Sequence, residues 1–168
     1  MKTFFLNTFA VFTFFALSLF SCSKSDDGNN SPTSGNTFFC KIDGVAYNPP
    51  NATGFVSTIT NTLVITGATG SNAEQIQIFV PKDIAVGTYT QFYDYNADEF
   101  IQMYYSPPTS QDADDDGFAN SGQFVITEHD TNAKRIKGTF NFVTDPSING
   151  STVWNVTEGS FTITYQEL

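Results

Sequence analysis

Between residues 37 and 168 the apolar residues come in short runs that alternate with polar ones, and no stretch carries a helical period. A side-chain period of two puts alternate residues on opposite faces of a strand, so this pattern demands half-buried β-sheet. Ile76, Ile78 and Val80 share one face, with Gln75 and Gln77 on the other. Ile136, Phe140 and Phe142 oppose Arg135, Lys137, Thr139 and Asn141, and Phe161, Ile163 and Tyr165 oppose Thr162 and Thr164.

Gly, Asn, Asp and Pro punctuate the runs. Asp43-Gly44, between two apolar-rich segments, is a strong two-residue hairpin signal, and it sets Ile42 opposite Val45 and Cys40 opposite Tyr47. Strands are predicted over 38–42, 45–47, 54–60, 62–67, 75–80, 87–91, 99–105, 123–129, 135–143 and 153–165, the last broken near Glu158-Gly159. About ten short strands in one domain spanning 37–168 suit an all-β, antiparallel β-sandwich, with a closed calycin-like β-barrel as the alternative.

The first 36 residues lie outside this pattern. Met1-Lys2 precedes an uncharged, Phe-rich run from 3 to 20, which ends in Leu19-Phe20-Ser21-Cys22. A small residue just before a Cys at the end of an apolar run resembles the lipobox of bacterial lipoproteins. The resemblance implies that 1–21 is a signal peptide and that Cys22 is the acylated residue, anchoring the protein to a membrane by lipid alone. Residues 22–36 then read as the acylated Cys and a flexible polar tether, since 23–35 hold no aliphatic or aromatic residue to bury. Ser23-Lys24-Ser25-Asp26-Asp27 also resembles the acidic export signal of Bacteroidetes-type lipoproteins, which implies the cell-surface side of an outer membrane. With Cys22 lipidated, Cys40 has no disulfide partner and reads as a small buried hydrophobe.

Several segments recur in an order that resembles a family of uncharacterised Bacteroidetes lipoproteins, a domain of unknown function. They are 39–47 (FCKIDGVAY), 63–67 (LVITG), 87–89 (GTY), 122–127 (GQFVIT), 136–142 (IKGTFNF) and 158–161 (EGSF). The resemblance implies an envelope location and an all-β fold. It carries no catalytic residue across.

The charge pattern narrows the function. A formal net charge of −10 excludes nucleic-acid binding through phosphate neutralisation. No Lys or Arg lies between Lys82 and Lys134, where ten acids fall. Within that stretch Asp112, Asp114 and Asp116, followed by Gly117, occupy positions 1, 3, 5 and 6 of a calcium-type loop. Position 12 is Gln123, which offers no bidentate carboxylate, so the readings are a calcium loop in a β connection or a solvated acidic loop. The aromatic stretch containing Tyr93, Tyr95, Tyr104 and Tyr105 is the second candidate, either sugar-stacking rings on one sheet face or core and rim. Trp154, the sole tryptophan, reads as core, and His129, the sole histidine, as a surface residue. No nucleophile–base pair, phosphate loop or zinc ligand set is legible. The reading is therefore a monomeric, lipid-anchored envelope protein of a Gram-negative outer membrane. As a non-catalytic surface module it would bind a glycan or an envelope protein. The alternatives are a purely structural envelope lipoprotein, or an enzyme or enzyme inhibitor.

Overall fold

The computed structural model describes residues 35–70, 74–90, 92, 101–108, 116–146 and 152–168. The first hairpin forms as its turn residues dictate. Asp43 (φ 49°) and Gly44 (φ 81°) both take left-handed backbone, the conformation that matches the twist of two strands joined by two residues. β1 (Thr37–Ile42) and β2 (Val45–Tyr47) then pair with Ile42 opposite Val45 and Cys40 opposite Tyr47.

Nine further strands follow: β3 (Asn51–Ser57), β4 (Thr62–Ala68), β5 (Gln75–Pro81), β6 (Gly87–Tyr89), β7 (Gln102–Ser106), β8 (Gly117–Asp130), β9 (Arg135–Thr144), β10 (Asn155–Thr164) and β11 (Gln166–Glu167). The all-β expectation holds, and three departures from the predicted strands have a cause in the backbone. β3 starts and ends three residues early, because left-handed Asn61 (φ 52°) closes its turn and leaves Ile59 94% exposed at the tip. β8 begins six residues before the predicted start at Gln123. Asn120-Ser121-Gly122 looks like a turn, yet it is strand carrying a bulge. The register shifts between Ala119 and Ser121, and Gly122 (φ 145°) sits where a Cβ would lie 2.1 Å from the Asn141 carbonyl oxygen, so only glycine fits. At Glu158-Gly159 the strand is bulged rather than broken. Glu158 (φ 53°) is the extra residue, its carboxylate meeting Lys41 Nζ at 2.7 Å.

The strand order is β11-β3-β4-β5-β7-β8-β9-β10-β1-β2, with β6 also on β8. All pairs are antiparallel except β11 with β3. Two strands turn corners. β8 pairs with β7 through Gly117 and Phe118, then with β6 through Phe124, Val125 and Ile126, while β9 follows its other edge. β10 runs beside β1 and β9, and after Tyr165 the chain crosses to β3 as β11. The result is one curled sheet whose two halves face each other, combining the layers of a sandwich with the corners of a barrel.

The core lies between those halves. Phe38, Phe124, Phe140, Phe142 and Phe161 are buried, with Phe124 and Phe161 stacked at 5.8 Å and Phe38 and Phe140 tilted at 5.3 Å. Glycines let the layers close. A Cβ on Gly67 would lie 2.5 Å from the Phe38 ring, and one on Gly54 2.5 Å from Ile163. At the end of the sheet carrying the β8–β9 turn, His129 is half-buried rather than a free surface residue. Its Nδ1 lies 2.8 Å from the Ile84 carbonyl oxygen and its Nε2 3.0 Å from the Tyr165 hydroxyl. A carbonyl only accepts, so Nδ1 carries a proton toward Ile84, and the Tyr165 hydroxyl is the hydrogen-bond partner of Nε2. The alternation of residues 128–130 did not reveal this, because both partners are distant in sequence.

Candidate functional site

At the opposite end of the same sheet, the first hairpin overhangs a cleft of about 450 Å³. Its lining joins four parts of the chain: Ile42 to Tyr47 from the hairpin, Glu74 from the β4–β5 connection, Tyr105 with Pro107-Pro108 at the end of β7, and Trp154 before β10. Each part is fixed by backbone pairing. Asp43 N donates to the Asn155 carbonyl at 2.9 Å and Asn155 N donates to Asp43 Oδ1 at 3.0 Å, which ties the turn to β10. Trp154 N donates to Thr144 Oγ1 at 2.9 Å, and Thr144 N to the Trp154 carbonyl at 3.0 Å.

Tyrosine hydroxyls hold the third side. The Tyr47 hydroxyl shares its proton between the Gly67 carbonyl at 3.0 Å and the Glu74 carbonyl at 2.8 Å. The Tyr105 hydroxyl donates to Glu74 Oε1 at 2.7 Å. The Tyr105 ring meets Trp154 edge-on, with centroids 5.2 Å apart and planes at 75°. That is the arrangement an aromatic quadrupole prefers.

Glu74 dominates the electrostatics of the cleft. Burial first, and then the Glu74 carboxylate, push the Tyr105 and Tyr47 hydroxyls well above the ordinary tyrosine range. The same two causes push the Cys40 thiol behind them up to about 12. Cys40 is fully buried and held as a thiol, so it is a core residue and not a nucleophile. No Lys or Arg lines the cleft, and among the described residues Glu74 enters no ion pair. A carboxylate offers about four acceptor positions, and here a single hydroxyl occupies one of them. Trp154 Nε1 is buried and, among the described residues, has no hydrogen-bond partner.

Of the site residues expected from sequence, Cys22, Tyr93, Tyr95, Asp112 and Asp114 lie outside the described residues. Asp116 is half-buried just before β8, and its charge adds to burial in raising the Tyr104 hydroxyl. Among the described residues no three acidic, His or Cys side chains gather in a way that could hold a metal ion. Tyr104 and Tyr105 are neighbours on one strand and point to opposite faces. Tyr105 is buried and reaches the cleft. Tyr104 lies on the outer face, stacked on Phe118 at 5.7 Å and accepting a hydrogen bond from Gln75 Nε2 at 3.0 Å.

Sequence reasoning missed Tyr47, Glu74 and the lining role of Trp154. One signal for Glu74 was there to be read. It is the sole charged residue between Asp43 and Lys82, and a lone charge in so long an uncharged stretch has a specific place to be. A search of curated proteins finds no match, and neither does a search of solved structures. A family model, the domain of unknown function DUF6252, matches residues 34–163, which take in β1 to β9 and nearly all of β10. The chain that folds into this curled sheet therefore belongs to the DUF6252 family.

Proposed function

We propose that this chain is a lipid-anchored, non-catalytic binding module of the cell envelope, held at the outer membrane of a Gram-negative bacterium through Cys22 and displayed at the cell surface as a monomer. The observation that carries the binding role is the aromatic-walled cleft with Glu74 inside it. It is concave, it holds one carboxylate that meets the Tyr105 hydroxyl, and its lining lacks a nucleophile paired with a base. The lipobox-like Leu19-Phe20-Ser21-Cys22 and the polar tether support the anchor. The likeness to uncharacterised Bacteroidetes lipoproteins supports the compartment. A second surface supports a glycan ligand, namely the outer-face Tyr104–Phe118 stack beside Gln75.

Two measurements test this reading. Cys22→Ala should move the protein from the membrane to the soluble fraction or stall its processing. A photo-crosslinking residue at Val45, 71% exposed on the cleft rim, should give a discrete heavier adduct on intact cells. Fractionation unchanged by Cys22→Ala removes the anchor, and absence of any adduct at Val45 removes the binding role.

A further inference from the structure

The cleft carries a charge it does not neutralise. Glu74 is half-buried among Tyr47, Tyr105, Trp154, Pro107 and Pro108, and Asp43 stands at the same rim. A carboxylate walled by aromatic and proline rings has lost part of its water and, among the described residues, gains back only the Tyr105 hydroxyl. A neutral ligand would strip away more water and leave the charge in place. A cation would remove the penalty and meet ring faces that attract positive charge. The net charge of −10 favours encounter with a cationic ligand over an anionic one.

Resting on the binding-module reading above, we infer that the cleft takes an arginine side chain presented by a partner polypeptide. A guanidinium is planar and weakly hydrated, so it stacks on aromatic rings. It also presents a fork of N–H donors to the acceptor positions Glu74 leaves open. An ammonium has neither the plane nor the fork. The polypeptide is favoured over the free amino acid by what surrounds the pocket. The cleft is larger than one guanidinium, and Val45 and Ala46 on its rim are exposed. β2 ends the strand order and, among the described residues, no strand pairs with its outer edge, which suits an extended backbone.

Trp154 reports on the cleft directly, because it is the only tryptophan in the chain. The full chain in a non-ionic polyoxyethylene detergent should show a saturable change in emission with the peptide Ac-Gly-Gly-Arg-Gly-Gly-NH2. The lysine analogue should bind several-fold more weakly. The citrulline analogue, which keeps the shape and loses the charge, should bind at least about tenfold more weakly, the loss expected for a charge-assisted hydrogen bond. N-acetyl-arginine amide should bind more weakly than the peptide. Glu74→Gln, which keeps an acceptor for Tyr105 and removes the charge, should lose about tenfold for the arginine peptide at a melting temperature no lower than that of the parent. Val45→Lys, which alters only an exposed rim residue, should weaken it by repulsion. Citrulline and arginine peptides binding alike, or an emission that no arginine peptide changes, would overturn the assignment. If that happens while the Val45 adduct still forms on cells, the arginine falls and the binding module stands. If the adduct is missing too, both fall.

Discussion

The two ends of the sheet formed by β8, β9 and β10 use polar groups in opposite ways. At one end, His129 spends both ring nitrogens on Ile84 and Tyr165, and the Tyr165 amide bonds the Lys134 carbonyl, so three separate segments are tied by a closed network. At the other, among the described residues, Glu74 has one partner for its acceptor positions and the Trp154 indole nitrogen has none. A satisfied network stabilises and positions its own strands. An unsatisfied one costs stability, and in a concave place it is the more informative, because a ligand can supply what the fold withholds. The contrast directs the search for a ligand site to groups the fold leaves unpaired, and away from those that are densely bonded.

Three perturbations should sharpen or break that contrast. The largest effect is alkaline. Cys40, Tyr47 and Tyr105 sit at the Glu74 end with folded pKa values raised above their unfolded ones. Below about pH 9 both states of Cys40 keep the proton and stability is at its full value. As pH climbs from there toward the folded value of about 12, the unfolded chain loses its proton while the folded one keeps it, so stability falls. The thiol's share is on the order of 4 kcal/mol over that window. Denaturation midpoints measured across it should decline, and Cys40→Ala should decline less steeply. Equal slopes for the two proteins would show that the buried thiol contributes nothing.

The next effect belongs to the closed end. His129→Leu strands the Ile84 carbonyl and the Tyr165 hydroxyl together, and should cost about 2 kcal/mol, read as a drop of several degrees in the melting temperature. The smallest is Trp154→Phe. It removes a buried donor that has no acceptor, which offsets the loss of ring area and of the edge contact with Tyr105, so stability should change by less than about 1 kcal/mol. A cost for Trp154→Phe as large as that for His129→Leu would erase the distinction between the ends.

The contrast also separates what was legible in the sequence from what was not. Period-two alternation placed Ile76, Ile78, Val80, Ile136, Phe140 and Phe142 in the core, since burial of one face is a local property of a strand. Asp43-Gly44 gave its hairpin in register for the same reason. The predicted start of β8 at Gln123 came six residues late, because a bulge at Asn120 and a glycine in a strand cannot be told from a loop until the partner strand is known. The cleft was hidden more deeply. Tyr47, Glu74, Tyr105 and Trp154 come from four separate segments that meet only when the sheet curls, and no spacing along the chain encodes that meeting. Tyr104 and Tyr105 were grouped by composition, whereas adjacency on a strand sends them to different faces.

The short β11 has a bearing on assembly. Gln166 and Glu167 cover the edge of β3, Leu168 N donates to the Val56 carbonyl at 3.1 Å, and Thr58 Oγ1 donates to the Leu168 carbonyl at 2.8 Å. β3 is made early in synthesis, and it stays an open edge until residues 165–168 have emerged. Through that interval its neighbours Val56 and Phe55 offer a second copy the same pairing that β11 will later provide. A chain cut before Gln166 would keep every core phenylalanine and still be left with a permanently open edge, prone to edge-to-edge aggregation.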